Sequence, residues 1–385
     1  MNLEKKKRIL VFSGYYLPGF KGGGPIRSIS NMVDNLANFY DFSILTSDKD
    51  LGAESPYPSI AKDQWNAVGK ADVYYLKTGF KAVKDLIRIL KNEHFDIVSI
   101  NSFFSFKFSI FPFLICRILN KNCQIVIAPR GEFSNGALGI KSLKKRLFIN
   151  IAQFLSLYKN TVWHASSEFE SVDIRRVMGD DAKIRVAMDI STPDTATSLS
   201  PRIENSPLRI IFVSRISPMK NLIGAIDILH EVKNNVIFEV YGPAEDRLYW
   251  EKSISAAKSL PDNINFSYHG PLSADEVPSK LAEFDLFFLP TLGENYGHVI
   301  AEALSAGLPV LISDATPWRN LAEKSIGWDI PLSQTDRFIN VIDYCHSMSS
   351  EDYNAWRKRI RAWAVKNIGN GNAIEQNRQV FNSLN

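Results

Sequence analysis

Two cations and two acids, set at strand ends and helix starts, carry the chemistry open to this sequence. In VSRISPMKN, Arg215 closes an apolar run and Lys220 precedes the next helical pattern. A planar guanidinium fork and a compact ammonium converging on one loop suit a diphosphate. The plainer reading is two solvated surface cations. In TLGENYGHVIAEALSAG, Glu294 lies in a loop and Glu302 on the helix that follows. Glu302 falls on the second turn, where a side chain leans back toward the helix N terminus. The helix start at Gly297, with Asn295, Tyr296 and His298 beside it, offers N–H groups and a positive dipole end to phosphate oxygens. Glu302 can then bond ribose hydroxyls and Glu294 sugar hydroxyls. The alternative makes Glu294 a helix-start acid and Glu302 a surface residue. Val299, Ile300, Ala303 and Leu304 around Glu302 instead imply a helix packed into its domain. His298 is either a packed or capping histidine or a contact to sugar or phosphate. Gly242 and Gly270 end apolar runs, where a glycine permits close approach of a flat ligand or makes a simple turn.

The first half offers a second set. Gly22, Gly23 and Gly24 stand between the first strand pattern and a helix opened by Pro25. Backbone N–H groups of such a loop can approach a phosphate or sugar. No Gly-Lys-Ser/Thr follows and the spacing is not GxGxxG, so neither phosphate-loop fingerprint applies. Arg130 ends IVIAPR, ahead of Gly131 and Glu132. It can bind a sugar or a phosphate, or form an ion pair with Glu132 or another acid. His164, before the helix start formed by Ser166 and Ser167 with Glu168–Glu170, reads as structural.

These residues need elements to hold them. Short apolar strands alternate with amphipathic helices: Arg8–Ser13, Asp41–Thr46, Asp96–Asn101 and Gln124–Ala128 as strands, with helices over Ser28–Asn38, Ala82–Asn92 and Ser142–Tyr158. A clearer alternating series runs from Leu208 to Ser313. The pattern predicts α/β architecture with parallel, doubly wound sheets, whose ligands bind at the carboxyl ends of the strands. The Ser/Thr/Pro-rich stretch Asp189–Pro207 reads as a linker. The expected organisation is one domain over 1–200, a second over 201–365, and a last segment, 366–385, with a helix over Ala373–Leu384.

The length of 385 residues suits two domains. A net charge of +4 is too small to point to nucleic acid. Three cysteines, Cys116, Cys123 and Cys345, form no CxxC pair, so neither a disulfide framework nor a zinc site is expected and a reducing compartment fits. The basic start reads as a leader before the first strand rather than a signal peptide. Residues 103–119 are very apolar, but Lys107, Pro112 and Arg117 interrupt them, which favours a buried helix over a membrane span. Residues 141–155 mix Lys141, Lys144, Lys145 and Arg146 with Leu143, Leu147, Phe148 and Ile151. They read as a basic amphipathic helix, either solvated or resting on an anionic membrane surface.

Taken together, Ser214-Arg215…Lys220-Asn221, the Glu294-x7-Glu302 pair and the AEALSAGLPV run resemble the donor domain of retaining GT-B glycosyltransferases of family 4. The resemblance implies two Rossmann-like domains facing a central cleft, the first (1–200) on the acceptor side and the second (201–365) binding the donor, with helix Ala373–Leu384 returning to the first. It implies that Arg215 and Lys220 bind the donor diphosphate, Glu294 the transferred sugar and Glu302 the ribose. It also puts the Gly23–Gly24 loop beside the donor and Arg130 where many relatives carry a histidine, in a place to bind donor sugar, donor phosphate or an acceptor phosphate. His298 stands where the family usually has an apolar residue. Same-face attack, with the departing phosphate taking the acceptor's proton, would account for the lack of an obvious protein nucleophile. No DxD-like motif ends a strand, so no metal or other cofactor is expected beyond a nucleotide-diphosphate sugar as co-substrate. The expected acceptor is a glycan or lipid-linked glycan in bacterial surface polysaccharide synthesis, such as O-antigen or capsule, at the cytoplasmic side of the membrane. An epimerase or phosphorylase of the same fold, and a non-catalytic sugar-nucleotide-binding scaffold, are the rival readings.

Overall fold

The structure, a computed structural model, describes residues 6–77, 79–119, 123–139, 142–191, 198–368 and 371–382. The chain divides into two compact units, residues 1–190 with 371–385, and residues 191–370.

In the first unit, β1 (Lys7–Phe12) leads to α1 (Gly24–Leu36), β2 (Tyr40–Ser47), β3 (Trp65–Val68) and β4 (Ala71–Leu76). Next come α2 (Phe80–Asn92), β5 (Ile97–Asn101), a π-helical turn (Phe106–Ile110), α3 (Phe111–Leu119) and β6 (Gln124–Ala128). The series ends with α4 (Asn135–Gly139), α5 (Ser142–Phe154), β7 (Val162–Ala165), α6 (Glu168–Met178) and β8 (Lys183–Val186). The second unit holds β9 (Leu208–Val213), a 3₁₀ turn (Pro218–Lys220), α7 (Leu222–His230), β10 (Val236–Tyr241) and α8 (Arg247–Ala257). It continues through β11 (Ile264–Gly270), α9 (Glu276–Ala282), β12 (Leu286–Leu289), α10 (His298–Ser305), β13 (Val310–Ser313) and β14 (Gly327–Ile330). Helices α11 (Thr335–Ser347) and α12 (Ser350–Asn367) close it, and α13 (Gly371–Asn382) belongs to the first unit.

The first sheet has the order β3-β4-β2-β1-β5-β6-β7-β8 and is parallel apart from the β3–β4 hairpin. Its strands are apolar on both faces because helices cover both. Ile9 and Val11 of β1 enter one core with Ile29 and Val33 of α1 and Phe381 of α13. The alternate residues Leu10 and Phe12 enter another with Leu86 of α2, Phe113 of α3 and Ile174 of α6. Each such side chain contributes roughly 1.5–3 kcal/mol on burial. Tyr40 of β2 donates to Asn382 Oδ1 at 2.8 Å, and Asn377 Nδ2 donates to the Met188 carbonyl at 2.7 Å, so α13 is tied to the first sheet by polar as well as apolar contacts.

The second sheet is parallel throughout, in the order β11-β10-β9-β12-β13-β14. In both sheets the winding reverses once, between β1 and β5 and between β9 and β12. Loops diverge from the carboxyl ends at such a point and leave room for a ligand.

Three expectations change. Residues 103–119 form no single helix: Ser105 caps a π-helical turn by accepting from the Phe108 N–H at 3.2 Å, and α3 starts at Phe111 so that Pro112 sits in its first turn. Among the described residues no helix is long and apolar enough to cross a membrane. The helix expected to run to Tyr158 stops at Phe154. The stretch read as a linker opens on packed residues, since Asp189, Ile190 and Ser191 are buried. Residues 192–197 of that stretch, Lys141, Leu384 and the leading residues 1–5 lie outside the described residues.

Candidate functional site

The carboxyl edge of the second sheet gathers most of the residues singled out above. The loop after β9 and the loop after β12 are stitched together across the point where the winding reverses. Leu292 N–H donates to the Met219 carbonyl at 2.8 Å, Thr291 Oγ1 to the same carbonyl at 3.0 Å, and Asn221 Nδ2 to the Pro290 carbonyl at 2.9 Å. Asn221 takes up the left-handed conformation that ends the 3₁₀ turn and caps α7. That geometry carries Lys220 to the rim, where its ammonium is ion-paired with Glu294. Their side chains are 13% and 11% exposed, so the pair is largely withdrawn from water and its attraction is screened little.

Arg215 follows β9 directly and donates to both oxygens of Glu245, at 3.1 and 2.9 Å. Glu245 comes from the loop after β10, which is pinned to the β9 loop by Ile216 N–H donating to the Pro243 carbonyl at 2.9 Å. At 36% and 32% exposure this pair is far wetter than the first. Gly242 has an internal explanation: with φ 139, a Cβ there would lie 1.8 Å from the Ser214 carbonyl oxygen. What passes close to Gly242 is thus the neighbouring loop. Gly270 accepts from the Gly242 N–H at 2.8 Å and holds that arrangement.

Gly297 caps α10 with φ 80 and ψ 62, and a Cβ would come within 2.8 Å of Ile300 Cδ1. The first N–H groups of α10 follow directly on the loop that carries Glu294, Asn295 and Tyr296. The Tyr296 carbonyl accepts from Trp318 Nε1 at 2.6 Å, and Glu294 N–H donates to the Ala315 carbonyl at 3.0 Å. The loop is therefore anchored at two points. His298 is buried with its ring edge-on to Tyr296, 4.9 Å between centroids. Glu302, half-buried on the second turn of α10, sits among the buried Ala301, Ala303 and Leu304.

The first unit presents a different edge. Gly23 caps α1 and Gly24 begins it, with Gly23 N–H donating to the Phe20 carbonyl at 3.0 Å. Arg130, in the left-handed region at φ 56, donates to Asn101 Oδ1 at 3.1 and 2.8 Å and to Asp189 Oδ1 at 2.5 Å. Asp189 in turn accepts from Ser28 of α1 at 2.6 Å. The ion partner of Arg130 is Asp189 and not Glu132, because Glu132 accepts the N–H groups of Phe103 and Phe104 at 2.5 and 3.0 Å. Glu170 accepts from Gly131 N–H at 2.7 Å and from Ser166 N–H at 2.8 Å, locking the ends of β6 and β7. Burial raises the pKa of both glutamates. His164 Nε2 donates to the Ala187 carbonyl, 2.9 Å away, and burial, reinforced by the Arg130 charge, lowers its pKa to about 4.

Nothing in the sequence pattern marked Asn101, Asp189 or Ser28 as part of this network. Ser167 capping α6 with Glu170 three residues on was a legible capping signal, whereas Asp189 lay inside a Ser/Thr/Pro-rich stretch that hid it. Among the described residues, no group of three or more His, Cys, Asp or Glu is placed to hold a metal ion.

Residues 197–363 match the family described as Glycosyl transferases group 1. Over 312 residues the chain is 20% identical to an uncharacterized 41.2 kDa protein in the cps region of Klebsiella pneumoniae, covering 77% of this chain and 82% of that one. The fold is that of GT-B glycosyltransferases. It matches sucrose-phosphate synthase (tll1590) from Thermosynechococcus elongatus with a TM-score of 0.73 at 13% identity, over 98% of this chain and 100% of the other. It matches Anabaena Alr3699/HepE, solved in complex with UDP and glucose, with a TM-score of 0.69 at 16% identity, over 98% and 99%.

Proposed function

We propose that this chain, whose second unit carries a group 1 glycosyltransferase domain on a GT-B fold, transfers a sugar from a nucleoside-diphosphate sugar to a glycan or lipid-linked acceptor with retention of anomeric configuration. The observation that carries the reading is the Lys220–Glu294 pair, held between the loops after β9 and β12 and flanked by Arg215 and the start of α10. In this reading Lys220, Arg215 and the α10 N–H groups take the diphosphate, while Glu294 accepts from sugar hydroxyls and Glu302 from the ribose. The bond from the anomeric carbon to the diphosphate oxygen breaks, and negative charge grows on that oxygen. Fixed cations and N–H groups there lower the barrier without reorganising. The acceptor oxygen bonds to the same face of the anomeric carbon, and its proton passes to the leaving phosphate oxygen. The charge on the leaving group is carried by these side chains, with no metal in the scheme.

The cps-region relative and the UDP and glucose bound by the Anabaena protein support a role in surface polysaccharide synthesis and a UDP-sugar as the first donor to try. Three unpaired cysteines suit a reducing, cytoplasmic setting. The test is a thermal-shift screen of nucleotide sugars, followed by NMR of the product from the donor that stabilises the chain. A product with the donor's anomeric configuration is expected. An inverted product would overturn retention, and a chain that no nucleotide sugar stabilises would overturn the whole reading.

A further inference from the structure

Charge is distributed very unevenly along this chain. Between Asp96 and Glu168 the 71 residues 97–167 hold nine Lys and Arg but a single acid, Glu132, so this stretch carries +8. The rest, with 36 Lys and Arg and 40 Asp and Glu, carries −4, which together make the +4 of the whole. Glu132 is half-buried, and its carboxylate accepts from the N–H groups of Phe103 and Phe104. Within this basic stretch, α5 has two apolar faces. Ile149 and Ala152 are buried, with Phe148 packed against the same core. On the opposite side Leu143, Leu147, Ile151 and Phe154 are 83%, 63%, 50% and 89% exposed, and Leu155 just beyond is 61% exposed. At about 100° per residue the four helical ones fall within an arc of about 80°, with Lys144 bordering one side and Arg146 the other. Lys144 and Arg146 are both exposed. Lys145 is turned inward, donating to the Ala137 carbonyl at 2.6 Å.

We infer that α5 lies flat on an anionic lipid surface, with Leu143, Leu147, Ile151 and Phe154 inserted among the acyl chains and Lys144 and Arg146 on the headgroups. A row of exposed large apolar side chains on successive turns marks an interaction face rather than ordinary surface scatter. Apolar side chains bordered on both sides by cations match the layered chemistry of an anionic bilayer. A second copy of the chain would bring the same positive charge against itself, which the charge pattern disfavours. This inference goes beyond the transfer reaction and does not depend on it.

The test is flotation of the full chain with vesicles of phosphatidylcholine alone and of equal parts phosphatidylcholine and phosphatidylglycerol. Binding to the anionic vesicles only, weakening with salt, is expected. The pair Leu147→Glu with Phe154→Glu should lower the partition coefficient at least about tenfold. Lys144→Gln and Arg146→Gln should lower it roughly fivefold for each charge removed, and they keep the test standing if the first pair fails to fold. Absence of flotation with anionic vesicles, equal flotation with neutral ones, or variants that float like the parent would overturn the inference. So would a dimer in sedimentation that Leu147→Glu with Phe154→Glu dissociates. Flotation reads lipid and not turnover, so its failure would leave the transferase reading untouched.

Discussion

The two units carry the same kind of sheet edge and use it in opposite ways. At the edge of the second sheet, ionic groups meet across loops and stay at the rim: Lys220 and Glu294 are 13% and 11% exposed, Arg215 and Glu245 36% and 32%. At the edge of the first, Arg130 and Asp189 are 8% and 4% exposed, and the partners of Glu132 and Glu170 are backbone N–H groups of neighbouring loops. A charge whose partners are all internal shapes the loops. A charge paired with one other side chain at a rim can exchange that partner for a ligand. In the proposed reading the chemistry therefore belongs to the second edge and the architecture to the first.

The largest expected effect tests that assignment. Lys220→Ala and Glu294→Gln should each lower kcat/KM for the accepted nucleotide sugar by about 10²–10³, the usual loss when a fixed group facing developing charge is removed. Turnover within twofold of the parent, measured on folded protein, would move the chemistry elsewhere. The next effect concerns the first edge. Asp189→Asn breaks a buried ion pair and should cost about 3 kcal/mol, read as a thermal midpoint lower by roughly 6–12 °C. Comparing it with Arg130→Met sharpens the contrast. If Arg130 only anchors the loops, both variants lose stability and keep turnover per folded molecule. If Arg130 touches substrate, Arg130→Met alone loses turnover at saturating donor.

How much of this could be read in advance depended on where the information lay. The strand Gln124–Ala128 was legible to the residue because a short apolar run between polar bounds has few other meanings. The β3–β4 hairpin was missed, although Gly69–Lys70 between Val68 and Ala71 is a turn signal, because a polar segment of the first half drew no strand expectation. Lys220 and Glu294 were legible as types at strand ends, but their pairing is a contact over 74 residues that no local pattern announces. Asp189 shows the limit most plainly. Its neighbours in sequence say linker, while its neighbours in space, Arg130 and Ser28, are 59 and 161 residues away.

The first edge also predicts a pH response that the second does not. Burial holds His164 near a pKa of about 4, against 6.5 for an unhindered imidazole. The unfolded chain therefore binds a proton between those values that the folded chain refuses. Stability attributable to His164 is complete above pH 6.5 and is lost as pH falls toward 4, by about 2 kcal/mol at pH 5. Glu132 and Glu170 act in the other direction, since their raised pKa values let the folded chain take up protons before the unfolded one. The comparison of parent with His164→Gln isolates the histidine. The parent's thermal midpoint should drop more steeply between pH 6.5 and 5 than the variant's, and parallel curves would show that the imidazole titrates freely.

The smallest effect separates the two pairs of the second edge. Glu245 and Arg215 form an exposed ion pair, and such pairs contribute about 0–1 kcal/mol, so Glu245→Gln should move the thermal midpoint by no more than about 4 °C. Its consequence for binding has a definite sign if Arg215 meets the diphosphate. A carboxylate bonded to Arg215 competes with that anion, and removing its charge should lower the donor KM by roughly threefold or less, the scale of one exposed pair. Arg215→Ala must then raise the donor KM, and the double variant must match Arg215→Ala, because Glu245 acts only through the guanidinium. A Glu245→Gln effect that persists without Arg215 would show that Glu245 touches the donor itself, and the wetter pair would then join Lys220 and Glu294 as direct contacts.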